Sequence, residues 1–495
     1  MTMTRDVDRL DRHTVVVAST LVLGGLMVVL DVTVTNVAIG RLSQAMRAPL
    51  PVIQWVVTGY TLALATVVPT AASAVRRFGA KRVYLFALGL FMVGSVLTGL
   101  AWDVQALIAF RVLQGLGGGL VMPVGMTIAL RAAKPSQRGR VMGILGIPGL
   151  IGPVLGPTLG GWLMDALSWQ WIFFVNLPVG VLAVILVGRL LPSEPSNPAR
   201  RVDLAGLLLL STGLAALVYG LATAGEHGAF LEADVLLPVL GGAGLVAGFL
   251  VRALIVAYPA VDVRLLRLRP MAAGAGVLTT FAAAYFGSMF LTPLYYQLAR
   301  GMSATAAGAL MIPQALATGI TMQVASRLVD RVSARSVVGV GAALAASGYL
   351  GAAVTMAEDT PLWLLVGCLT VGGVGVGATL MPTITTATRQ LDHDAVPSGT
   401  TLLTMGNQVA VSIGTAVISV LLTMALRDGL PQVAETGAGA LYGLSDAQRQ
   451  AVAPLLADAF QAAFTLPVAL MAISLLITLL FLPAAIPHAL DEENR

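Results

Sequence analysis

The chain has 495 residues, of which 57% are hydrophobic and 11% charged, with a formal net charge of +5. Soluble domains carry roughly 25% charged residues, so a soluble fold is excluded, and the long charge-free runs along the whole length mark an all-α integral membrane protein. The small basic excess sits in particular loops, as a topology signal rather than a nucleic-acid surface, and the single cysteine, Cys368, excludes an internal disulfide and any His/Cys metal spacing.

Residues 1–14 form a charged tail, and no small-residue cleavage site follows the first apolar run, so the first span is an uncleaved anchor. A helix needs about 20 apolar residues to cross the hydrocarbon. By that measure fourteen spans are predicted, at 15–39, 52–75, 83–102, 105–130, 141–165, 171–191, 204–224, 235–257, 271–298, 305–329, 336–356, 361–387, 396–426 and 460–483. Alternate loops differ sharply in cations. One set, together with both termini, holds 23 of the 29 Lys and Arg; the other holds 5, and Arg111 falls inside a span. The positive-inside rule places the richer set, and both chain ends, in the cytoplasm. The longest outer loop, about 427–459, is Gly/Ala-rich and contains no evident domain.

The segment 117–127, GGGLVMPVGMT, is similar to 376–386, VGATLMPTITT, 259 residues later; the loop RRFGAKR (76–82) has a counterpart in DRVSARS (330–336), 254 residues on. Two near-equal spacings predict a parallel duplication, a known transporter plan with the substrate site near the midplane between the halves. The expected domains are a cytoplasmic tail (1–14), an N-terminal six-helix bundle (15–191), inserted helices 7 and 8 (192–269), a C-terminal six-helix bundle (270–483) and a second cytoplasmic tail (484–495).

Two charged groups lie well inside spans, Asp31 in span 1 and Arg111 in span 4. Ionised groups at mid-bilayer cost about 3 kcal/mol or more, so they face a cavity or a partner and are functional candidates. Asp31 has Thr33, Thr35 and Asn36 nearby; Arg111 has Gln114 and Gly118 at helical spacing. A carboxylate in a poorly solvated site can take a proton from one side and release it to the other. Arg111 does not deprotonate in practice, so it acts as an electrostatic partner or water organiser, or in packing. Span 5 reads GLIGPVLGPTLGG, in which Gly149, Gly152, Gly156 and Gly160 make a small-residue face while Pro153 and Pro157 bend the helix. Such a helix suits a gate or seal between the halves.

These motifs together resemble the fourteen-helix drug:proton antiporter branch of the major facilitator superfamily. LDVTVTNVAIG resembles its first-span signature, RVLQGLGGG its fourth-span motif and GLIGPVLGPTLGG its antiporter motif; WQWIFFVNLPVG (169–180), RVDLAG (201–206) and PAVDVRLLRLR (259–269) match the branch at the ends of spans 6, 7 and 8. The resemblance implies two six-helix bundles with two additional transmembrane helices and outward movement of substrates in exchange for protons. It also implies coupling roles for Asp31 and Arg111. Gating roles fall to the loop after span 2, with Arg77 and Gly79, and to its second copy, with Asp330 and Arg331.

The sequence departs from the branch at three places. Ala72 and Arg76 stand where the loop after span 2 usually has Gly and Asp, which should weaken or rewire the latch of the first half; the second copy keeps Asp330. In span 13, Asn407 stands where relatives often carry Arg. The expected cavity draws on Thr33, Asn36, Tyr60, Gln114, Tyr295, Tyr296, Gln314, Asn407 and Gln408, which favours amphipathic, cationic or neutral organic molecules. Tyr295 and Tyr296 fit an interfacial aromatic belt equally well. The resulting expectation is a monomeric exporter of drugs or of a self-made metabolite in a bacterial cytoplasmic membrane. It is driven by the proton gradient, without cofactor or metal, and its partners are the small-molecule substrate and membrane lipids. The rival reading is a lipid or glycolipid flippase on the same fold. An enzyme is disfavoured, since His13, His227, His393 and His488 all fall in tails or loops.

Overall fold

The computed structural model describes residues 11–48, 50–192, 202–302, 304–357, 360–429 and 446–484, and no strand occurs among them. The first half comprises α1 (Arg12–Met46), α2 (Leu50–Val67), α3 (Thr70–Phe78), α4 (Ala80–Gly99), α5 (Val104–Ala132), α6 (Arg138–Leu145), α7 (Ile147–Ala166), α8 (Trp171–Phe174) and α9 (Asn176–Leu190). A hairpin of α10 (Leu204–His227) and α11 (Ala233–Ile255) follows. The second half comprises α12 (Arg269–Leu298), α13 (Ala304–Leu328), α14 (Ala334–Thr355), α15 (Leu362–Thr388), α16 (Val396–Gly429) and α17 (Asp446–Phe481).

Among the described residues eleven helices are long and apolar enough to cross a membrane, or twelve if the bent pair α2–α3 is one span. The segments predicted as spans 5 and 10 are helical but are not among them. The first is divided into α6 and α7 at Gly146, and α7, with 20 residues, includes side chains outside the described ones. The second is diluted by Gln314, Thr318 and Gln323. Among the described residues, length and composition therefore give eleven or twelve of the fourteen expected spans.

Local chemistry sets the breaks. The 54° bend between α2 and α3 falls at Pro69, which cannot donate to the preceding turn. Gly79 ends α3 at φ 83, a conformation that costs glycine little. Asp103 caps α5 by accepting from Ala106 N at 2.7 Å. The repeated Met-Pro pairs behave alike: Thr127 Oγ1 donates to Pro123 O and Thr386 Oγ1 to Pro382 O, both at 2.8 Å.

In the first half α1 packs on α7, α9 and α5, while α5 also packs on α2 and α4. Backbones approach closely there: a Cβ on Gly117 of α5 would lie 2.5 Å from Phe91 N of α4. In the second half α15 packs on α13 and α14, and α12 on α16 and α17, around Tyr295, Tyr296, Tyr349, Phe460 and Phe464. The α10–α11 hairpin touches both halves, through α2 and α16. Its base is tied by Arg252 Nη2 to the buried Asp203 Oδ1 at 2.8 Å, and Asp203 also caps Gly206 N at 2.9 Å.

The two halves are joined at the arginine-rich end. Met126, Leu130 and Met142 pack on Leu391 and Val396. Thr127 and Thr400 share a hydroxyl hydrogen bond of 2.8 Å, and Gln323 Nε2 donates to Gly143 O at 2.7 Å. Arg138 Nη1 donates to Arg389 O at 3.1 Å and Arg131 Nη2 to His393 O at 3.0 Å.

Candidate functional site

The two intramembrane charges meet. Arg111 Nη1 lies 2.5 Å from Asp31 Oδ2, with both side chains 1% exposed. The pair is 80 residues apart in sequence and joins α1 to α5. Asp31 Oδ1 accepts from Gln114 Nε2 at 2.8 Å and from Asn176 Nδ2 at 2.9 Å. Gln114 sits one turn beyond Arg111 on α5 and turns its oxygen back, accepting from Arg111 Nη1 at 2.8 Å. Ser95 of α4 accepts from Asn176 Nδ2 at 3.1 Å and donates to Phe173 O at 2.8 Å. Arg111 Nε donates to Val56 O at 3.2 Å, and its guanidinium lies 4.2 Å from the Tyr60 ring centre and 5.6 Å from that of Phe173.

Donors from α5 and α9 thus converge on one carboxylate of α1, and α2, α4 and α8 hold those donors in turn. Each of the carboxylate's side-chain contacts is one in which it accepts. Burial of a charge is tolerated only with such a full complement of partners. One side-chain polar atom in this neighbourhood stays unbonded: the buried Tyr60 hydroxyl, which lies over Gly118. The site lies inside one half, away from the junction between the halves. Asp31 and Arg111 were singled out from sequence, whereas Gln114 and Tyr60, expected to line the substrate cavity, are buried beside the pair at 0% and 1% exposure. Asn176, Ser95 and Phe173 were not singled out, although Asn176 stood as a lone amide in the apolar run IFFVNLPVG.

The other predicted residues are dispersed. Thr33 Oγ1 donates to Gly152 O at 3.2 Å, across the α1–α7 contact. Added Cβ atoms on Gly152, Gly156 and Gly160 would meet Val29, Thr33 and Val34, so this face packs on α1 within one half, while Gly149 faces open space. The side chains of Asn36, Pro153 and Pro157 lie outside the described ones. Tyr295 and Tyr296 are both 0% exposed in the second-half core, neither in a belt nor on a cavity wall; Tyr295 Oη donates to Ala357 O at 3.0 Å. Gln314 Nε2 donates to the Tyr349 hydroxyl at 2.7 Å. Asn407 and Gln408 are half-buried on α16. His227, Glu232 and Asp234 form an exposed cluster at the α10–α11 turn, with His227 Nδ1 2.6 Å from Glu232 Oε2.

The latch residues lie at the junction of the halves. Asp330 Oδ1 accepts from Gly139 N at 3.2 Å, and its Oδ2 lies 3.6 Å from Arg140 Nε. Burial pushes the Asp330 carboxyl up to about 6, against the opposing pull of the Gly139 hydrogen bond, Arg389 and Arg140. Arg331 is exposed, and Arg77 stacks on the adjacent Phe78 ring at 5.6 Å. Arg76, the departure from the usual loop, reaches across the junction. It donates to Ser398 Oγ at 2.7 Å, Ala260 O at 2.8 Å and Pro259 O at 3.2 Å. Asp262, Asp392 and Asp394 line the same pocket, which suits a cation at this position.

An apolar all-helical chain with two helical halves, joined at one end, and a walled-in acid–arginine pair has the architecture of a multi-pass membrane transporter. The sequence profile described as "Major Facilitator Superfamily" matches residues 21–415 and 277–494. The chain is 37% identical over 493 residues to the "Multidrug resistance protein B homolog" of Mycobacterium tuberculosis, covering 96% of this chain and 91% of that one. It is 31% identical to the "Putative multidrug resistance protein MdtD" of Serratia proteamaculans, over 81% and 83% of the two chains. Among solved structures it is similar to the proton:xylose symporter XylE, with TM-score 0.64 at 13% identity over 97% and 99% of the two chains. It is also similar to the human organic anion transporter MFSD10, with TM-score 0.62 at 14% identity over 94% and 99%. The chain belongs to the Major Facilitator Superfamily, a family of transporters.

Proposed function

We propose that this transporter exports amphipathic cationic or neutral drugs, or a self-made metabolite, in exchange for protons. It works as a monomer with fourteen spans in a bacterial cytoplasmic membrane, both termini cytoplasmic, and needs no cofactor beyond the proton gradient. The names of the relatives support drug efflux as the task. The observation that carries the proton coupling is Asp31, an intramembrane carboxylate buried with Arg111, Gln114 and Asn176 as its donors. A proton arriving on Asp31 puts a hydroxyl where three donors converge. At least one contact must then break, and α1 is freed to shift against α5 and α9. Since α1 also carries the α7 contact, that shift reaches α6 and the junction of the halves. On this reading the joined, arginine-rich end is the cytoplasmic side, so the described state is closed inward.

The test is dye efflux driven by an imposed ΔpH in proteoliposomes. Asp31→Asn should abolish coupled efflux while the protein still reaches the membrane and still equilibrates dye downhill. Undiminished ΔpH-driven efflux by the variant removes Asp31 from the mechanism. Lipid movement without dye efflux by the unaltered protein would return the flippase reading.

A further inference from the structure

A groove of about 600 Å³ runs along the outer surface of the second half, between α14 and α17. This volume lies in the range of about 300–1,000 Å³ usual for small-molecule sites. From α17 it is lined by Asp458, Gln461, Ala462, Thr465, Val468 and Ala469, and from α14 by Leu350, Ala353 and Val354. The α17 residues follow i, i+3, i+4, i+7, i+10 and i+11, which is a single helix face. Leu350 and Val354 are 49% and 63% exposed, so the groove opens sideways rather than into the protein.

Its polar end is Asp458, which is exposed and makes no hydrogen bond or ion pair among the described residues. The depth of this acid follows from helix geometry. At 1.5 Å per residue, following the helix through Pro467, it stands about 36 Å of helix length from Leu482, beyond the roughly 30 Å of hydrocarbon. Leu482 O accepts from Arg335 Nε at 2.9 Å, which fixes that end as the arginine-rich one. The carboxylate is therefore at headgroup depth on the opposite face. From it the groove descends about 16 Å to Ala469, which is one leaflet of acyl chain.

We infer that this groove is a lateral binding site for an outer-leaflet phospholipid with an ammonium headgroup. Asp458 and Gln461 hold the head, and an acyl chain lies along Ala462, Val468 and Ala469 against Leu350 and Val354. A carboxylate unpaired among the described residues at one end and an apolar floor one leaflet deep match that amphiphile and oppose an anionic one. The assignment of the leaflet rests on the orientation proposed above; the site itself does not.

The test uses the full chain in detergent, titrated with equimolar phosphatidylethanolamine and phosphatidylglycerol and read by native mass spectrometry. The unaltered protein should retain the ethanolamine lipid about fivefold over the glycerol lipid, the worth of a partly solvated ion pair. Asp458→Asn should erase that preference and Asp458→Glu should keep it. Ala462→Trp, which fills the groove and keeps the charge, should lose the ethanolamine lipid. Equal retention by the unaltered protein and Asp458→Asn, or indifference to Ala462→Trp, overturns the site. A cationic dye that depends on Asp458 while lipid retention does not would make the occupant a substrate and overturn the lipid assignment. The measurement needs no gradient, so it stands or falls apart from Asp31. Labelling of Asp458→Cys in a Cys368→Ser background from the cytoplasmic side would refute the orientation alone.

Discussion

Asp330 makes the junction between the halves sensitive to pH, and the size of the effect follows from its surroundings. Three features favour its charged form: the Gly139 N–H, Arg140 and Arg389. Burial outweighs them, and the carboxyl rises from 3.8 to about 6. A shift of about two units is worth about 3 kcal/mol between the protonation states. The raised value belongs to the closed junction, and opening exposes the acid and returns it to its ordinary range. The closed state is therefore most favoured below that range, and the advantage is lost as pH rises through about 6. Lowering the pH from about 7 to about 5 should raise the closed-to-open ratio about tenfold. Asp330→Asn keeps an acceptor oxygen for Gly139 and removes the charge. It should be independent of pH and favour closure at neutral pH by up to about a hundredfold. The assay is the distance between spin labels at Lys134→Cys and His393→Cys, both exposed on facing sides of the junction, in a Cys368→Ser background. A distance distribution that ignores pH in the parent protein, or responds equally in Asp330→Asn, refutes the reasoning.

Other perturbations act on neighbouring parts. Gly139→Ala places a methyl against the Ser326 carbonyl and 2.7 Å from Asp330 Oδ1, so it should hold the junction open in the same distance measurement; Gly149→Ala, which meets nothing within 4 Å, should leave it unchanged. Arg111→Met strips Asp31 of its cation and should cost about 3–5 kcal/mol, read as a lower midpoint of thermal unfolding in detergent. Adding Asp31→Asn should restore most of that loss, and strict additivity of the two would argue against a coupled pair. Arg76→Asp, which recreates the usual loop residue, removes the bonds to Ser398 and Ala260 O and adds an acid beside Asp262, Asp392 and Asp394. It should broaden the 134–393 distance toward longer values, whereas a narrowed distribution would count against Arg76 as a cross-junction tie.

The membrane class, the helices and the two intramembrane charges, Asp31 and Arg111, were legible because one physical quantity governs them all, the cost of polar groups in hydrocarbon. That cost leaves two lone intramembrane charges little choice but each other. What stayed hidden depends on neighbours, which periodicity does not name. The glycine face of α7 reads as smooth from sequence, but only the packing says that it meets Val29, Thr33 and Val34 of the same half. Asn176 and Ser95 are ordinary residues until α9 and α4 bring them onto one carboxylate oxygen or its donor. Tyr295 and Tyr296 had two readings and satisfy neither, because Tyr349, Phe460 and Phe464 fill the core around them. The substitution at Arg76 was expected to weaken or rewire the latch, and its tie to Ser398 could not be read from one loop alone.

If cargo leaves in exchange for protons as proposed, the walled-in position of Asp31 bears on how the two are coupled. A proton and a passenger molecule need never occupy the same carboxylate, so electrostatic rivalry does not set the exchange ratio. Communication between them has to be mechanical, carried by the sliding of α1 against its neighbours. Under the proposed exchange an uncharged compound would be expelled on the same terms as a cation, and charge on the compound would alter how tightly it is held without changing how many protons return.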